Sequence, residues 1–142
     1  WTSDPNWASI ILRKGEANPN NWELEVNLGK VVLTLDDYDI YGIRGNTTLA
    51  TNTWYHVAAT WDGSTARIYV NGVLDNTPET RAAPIGTDTR PVYLGGRTGF
   101  TDVVSGTVDD VRFYDRALTA TEIAALASTA DRKVLSYRAV QP

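Results

Sequence analysis

The residues that could do chemistry are few. One histidine and no cysteine occur in 142 residues. His56 lies in "TWYHVAATWDG", between Tyr55 and Val57. A catalytic histidine needs a nucleophile to activate or a carboxylate to orient it. No Gly-x-Ser-x-Gly elbow is present to supply that nucleophile, so His56 is expected to be scaffold. "WELEV" sets Glu23 and Glu25 two residues apart, which on a strand places both carboxylates on one face about 6.5 Å from each other. That spacing could suit the paired acids of glycoside hydrolysis. Solvent-facing glutamates on a half-exposed strand are the commoner use of the pattern, and that is the expectation here. Oxygen donors gather in "LDDYD" (Asp36, Asp37, Asp39) and "TVDDV" (Asp109, Asp110), the donor type that calcium takes in sets of about six to eight. The competing reading makes the first group turn residues and the second a solvated bulge.

Aromatic residues offer a different chemistry. A flat ring can stack on the apolar face of a pyranose while neighbouring polar groups hydrogen-bond its hydroxyls. Trp7, Trp22, Tyr38, Tyr41 and Phe100 fall in or beside loop-like segments, with Arg44 and Arg97 as polar partners. Tyr38, Tyr41, Arg97 and Trp7 are the candidate ligand contacts. Trp54, Trp61, Tyr69 and Phe113 are expected to pack in the core or against a sheet.

The elements that must position these groups are mostly strands. Short runs of Val, Ile, Leu, Thr and aromatics, punctuated by Gly, Asn, Asp and Pro, predict strands over 9–14, 22–27, 31–35, 39–44, 54–61, 66–70, 92–94 and 107–114. "NLGK" and "WDGST" read as hairpin turns. In 54–61, Val57, Ala59 and Trp61 share one face, and Trp54, His56, Ala58 and Thr60 the other. "LTATEIAAL", residues 118–126, breaks the pattern: Thr119 with Glu122 three residues on has capping-box spacing, and Leu118, Ile123 and Leu126 can share a helix face. Many short strands at close spacing predict an all-β, antiparallel two-sheet sandwich with one short C-terminal helix.

Composition bounds the partners. The chain carries 13 basic and 17 acidic residues, a net charge of −4, whereas nucleic acids and anionic membranes reward a basic face. No apolar run approaches the roughly 20 residues that span a bilayer. Without cysteine there are no disulfides or thiolate metal sites, which favours a bacterial source over a eukaryotic extracellular one. The chain also lacks methionine, so it is expected to be a processed or excised piece of a longer product.

"TWYHVAATWDGSTARIYVNGV", then "VYLGGR", then "SGTVDDVRFYDRALTATEIAAL" together resemble the laminin G-like jelly rolls of the concanavalin A-like superfamily, above all the repeats of large bacterial surface and secreted proteins. "WASIILRKGEANPNNWELEVN" is similar to that family's early strand pair. The resemblance runs from about Trp7 to Leu126 and implies a single domain over 1–142. It implies further strands before Trp1, and a tail strand over 133–140 is expected to fill their place. It makes His56 part of a strand motif. It also implies calcium, with Asp109 or Asp110 as ligands, although the early partner segment of that site has no counterpart here. Glycan-cleaving relatives carry Glu-x-Asp-x-x-Glu, which is absent. The expectation is therefore a non-catalytic recognition module, extracellular or at the cell surface, without membrane insertion. Its partner would be a glycan or a neighbouring protein domain; a spacer or assembly module without a sugar is the alternative.

Overall fold

Alternating side chains along "WELEVNLGKVVLTL" form a hairpin because the turn can take two consecutive left-handed residues. Leu28 (φ 51°) and Gly29 (φ 73°) do so, as a tight hairpin loop requires. The computed structural model describes residues 9–15, 21–35, 42–80, 89–96 and 103–130. The elements are β1 (Ser9–Lys14), β2 (Trp22–Asn27), β3 (Lys30–Leu35), β4 (Ile43–Arg44), β5 (Val57–Trp61), β6 (Thr65–Val70), β7 (Val73–Leu74), β8 (Glu79–Thr80), β9 (Val92–Leu94) and α1 (Ala120–Ala130). All named strand pairs are antiparallel. The larger sheet runs β4-β3-β2-β1-β9; the smaller runs β5-β6-β7, with β8 also on β6.

The second hairpin turn is held by its own aspartate. The Asp62 carboxylate accepts from the backbone N–H groups of Ser64 and Thr65 and from Arg67. These bonds hold its pKa well below the ordinary carboxylate range. Gly63 supplies the positive φ of 93° beside it.

The sandwich interior joins Leu24, Val26, Val31, Leu33, Leu35 and Ile43 of the larger sheet to Ala66, Ile68 and Val70 of β6. β6 lies over β3 and β4, so the interior is centred on that half of the larger sheet. Val57, Ala59 and Trp61 pack against it, as their alternation predicts.

Thr119 caps α1: its hydroxyl accepts from Glu122 N–H at 3.3 Å, and Glu122 accepts from Thr119 N–H at 2.8 Å. Arg116 adds a two-point contact to the same carboxylate, which is held down to about 2, chiefly by that guanidinium. Ile123 is buried, and Ala124 and Ala127 sit over Gly72, in the turn before β7.

Four expectations are corrected. Residues 107–114 are not a strand: Asp110 is left-handed (φ 54°), which interrupts extension, and among the described residues no neighbouring strand pairs with the run. Glu23 and Glu25 do not face solvent; they are 7% and 9% exposed. Trp54 is not a core residue, being 67% exposed; Phe113, 59% exposed, packs against Trp22 of β2 with ring centroids 6.0 Å apart. Strand β5 begins at Val57 rather than at residue 54. The expected tail strand over 133–140 lies outside the described residues.

Candidate functional site

Residues 45–56 connect the two sheets, and a series of hydrogen bonds anchors them. Gly45 N–H donates to Val31, Leu49 N–H to Gly29 and Asn46 N–H to Asp75. Asp75 is buried, and its carboxylate accepts from the Thr47 N–H and hydroxyl. Ala50 N–H donates to the Tyr55 hydroxyl at 3.0 Å, and His56 N–H to Asn71 Oδ1 at 3.0 Å. Asn52 takes the left-handed turn conformation (φ 56°).

This loop therefore has a fixed path, and it holds Trp54 out into solvent. Thr51, Asn52 and Thr53 beside it are exposed too. The combination is a rigid aromatic face with small hydroxyl and amide side chains around it, as stacking on a pyranose needs. Sequence alternation assigned Trp54 to packing. The run of small polar residues before it, "NTTLATNT", was the available sign of a surface loop.

His56 has no catalytic surroundings. Its Nδ1 is buried without a hydrogen-bond partner. Burial lowers its pKa, Arg112 lowers it further, and Asp110 opposes them. A ring nitrogen buried without a partner fits packing better than proton transfer.

The Glu23–Glu25 pair is a closed arrangement. Arg13, also buried, donates to Glu23 Oε2 at 2.5 Å and to the Gly15 carbonyl at 3.0 Å. Glu25 accepts from Asn27 Nδ2 at 3.2 Å. Burial pushes the Glu25 carboxyl up to about 7, reinforced by Glu23, with Asn27 and Arg44 opposing. A carboxyl raised in this way beside a second carboxyl is an arrangement that acid–base chemistry can use. Here one is tied to a buried guanidinium, and both are shielded from water.

The expected metal pair is at the surface. Asp110 meets Arg112 through both oxygens, at 3.1 and 2.9 Å, and Asp109 Oδ1 accepts from Asp110 N–H at 2.8 Å. Among the described residues no three His, Cys, Asp or Glu side chains gather as a metal site. These two carboxylates fall short of a calcium donor set, and Arg112 already neutralises one of them. The four candidate ligand contacts Trp7, Tyr38, Tyr41 and Arg97 lie outside the described residues, as do Phe100 and the aspartates at 36, 37 and 39.

Two antiparallel sheets packed face to face, with one capped helix, define a lectin-type β-sandwich. A laminin G family model, described as the concanavalin A-like lectin/glucanases superfamily, matches residues 1–124. The chain belongs to that family. No curated protein matches. Among solved structures, the chain is similar to residues 221–444 of an S-layer domain-containing protein from Clostridium thermocellum, with 28% identity and a TM-score of 0.49. The match covers 89% of this chain and 66% of that one, just under two thirds of its length. Among the described residues no helix is long and apolar enough to cross a membrane.

Proposed function

We propose that this domain is a non-catalytic recognition module of a secreted or cell-surface protein, and that its ligand is carbohydrate. The observation that carries this reading is Trp54, held 67% exposed on an anchored loop. Membership of a lectin-containing superfamily adds support. Tyr38, Tyr41, Arg97 and Trp7, which lie outside the described residues, are proposed to extend the ligand contacts. Calcium is proposed only as an accessory at Asp109 and Asp110, to be tested alongside. The non-catalytic part rests on the capture of Glu23 by Arg13 and on the unsuitable surroundings of His56.

The test is a glycan array run with calcium and with chelator, repeated with Trp54→Ala. Binding is expected, with a loss of about five- to thirtyfold for the variant, since a stacking contact of roughly 1–2 kcal/mol disappears. Binding that survives chelator removes calcium from the proposal. No binding in either condition turns the reading to an assembly module, which the exposed Val111, Phe113 and Tyr114 favour.

A further inference from the structure

Residues 45–56, the loop that carries Trp54, contain no Asp, Glu, Lys or Arg, in a chain that is 21% charged overall. The polar side chains at its exposed tip are those of Thr51, Asn52 and Thr53, next to the indole. Thr53 donates its hydroxyl to the Thr51 carbonyl at 3.2 Å. Among the described residues, the Thr51 hydroxyl and the Asn52 amide have no hydrogen-bond partner. The tip is held in this form from below. Ala50 N–H donates to the Tyr55 hydroxyl, Tyr55 packs on the core, and Asn52 stands left-handed at φ 56°.

A second observation concerns the charged groups that act on this loop among the described residues. The Lys30 ammonium donates to the Asn46 carbonyl at 3.1 Å, at the end of the loop away from Trp54. The Asp75 carboxylate is buried and engaged by Thr47. Arg112, which acts on His56, is paired with Asp110 at 2.9 Å. Burial disfavours the charged form of His56 itself. The chain as a whole carries a net charge of −4, so its long-range field repels a polyanion.

We propose that the ligand of this loop is an uncharged glycan, with one pyranose stacked on Trp54 and its hydroxyl groups bonded by Asn52 and Thr51. The inference rests on the carbohydrate reading of Trp54 given above and names the class of sugar. A sugar hydroxyl both donates and accepts, and so do an amide and a hydroxyl side chain. The pair therefore suits neighbouring hydroxyls whichever way their protons point. A uronate, a sialate or a sulfate ester brings a full negative charge, which has to be matched when it is drawn out of water. A guanidinium or an ammonium does that, and residues 45–56 contain neither. Because the tip is already fixed, little ordering is needed when a sugar docks.

Titration calorimetry with two series of probes tests this. One series is neutral: oligosaccharides of glucose, mannose and N-acetylglucosamine. The other is anionic: oligogalacturonate and heparin oligosaccharides. Binding is expected within the neutral series alone, with a Kd that changes less than about twofold between about 50 and 500 mM NaCl. Asn52→Gly keeps the left-handed turn and removes the amide; Thr51→Val removes the hydroxyl at nearly the same shape. Each is expected to weaken binding about three- to tenfold, with an unfolding midpoint close to the parent's. Binding of the anionic series, or a Kd that rises about tenfold or more with salt, overturns the uncharged ligand and leaves the carbohydrate reading standing. Neutral binding that Trp54→Ala weakens and both of the other variants leave unchanged overturns the roles of Asn52 and Thr51. No binding of either series overturns the carbohydrate reading itself, and this inference with it.

Discussion

Glu25 is the residue whose setting departs furthest from its pattern. A two-residue spacing on a strand places it beside Glu23, and burial then favours its neutral form. Its folded pKa of about 7 lies above its ordinary value of 4.5. The folded state therefore holds the proton more tightly, and the contribution of Glu25 to stability is fully present only below about pH 4.5. It falls as pH rises from about 4.5 to about 7, by an amount on the order of 2–3 kcal/mol. Glu25→Gln removes the titration, and urea unfolding at about pH 5 and pH 8 is expected to show a flatter profile, with the variant the more stable at the higher pH. An unchanged slope would mean that Glu25 is ionised and solvated. Trp54 teaches the converse lesson. Its type predicts burial, yet the hydrogen bonds that fix its loop leave it in water, because the anchors are main-chain groups and Asp75, invisible to a reading by hydrophobicity.

Among the elements, α1 was legible because its start is encoded locally: Thr119 and Glu122 exchange hydrogen bonds within one turn. Its docking was not legible. It depends on Gly72, at φ 80°, where an added Cβ would lie 3.0 Å from the Ala124 Cα. Gly72→Ala is expected to cost about 2 kcal/mol, from the left-handed backbone and the contact with α1 together. Urea unfolding would give the cost, and faster amide exchange in α1 would show that docking is what was lost. A loss confined to the β6–β7 turn would refute the helix contact. The strand expected over 107–114 failed for a related reason. Its alternation is suitable, but a strand exists only where a partner edge meets its peptide groups.

At the scale of the molecule, the interior formed by the described residues is off-centre. It is thick where β6 crosses β3 and β4 and bare over β9. Ile68→Ala, in the fully buried part, is expected to cost about 3–4 kcal/mol. Leu94→Ala, equally aliphatic, is expected to cost less than about 1 kcal/mol, because most of its surface is already in water. Paired urea titrations would decide this. Similar losses would mean that the β9 side is covered in the isolated domain.

Local signals determined much of this protein by sequence alone. The bounds of β1, β2 and β9, the two hairpin turns, the capping box and the sandwich class all rest on period, turn chemistry and short-range hydrogen bonding. The family likeness came from the same stretches. Only the tertiary structure decided which apolar side chains are covered and that Arg13 reaches Glu23 across the β1–β2 register. Burial and edge pairing depend on what the rest of the chain places opposite a residue, and a residue's own neighbours in sequence do not carry that.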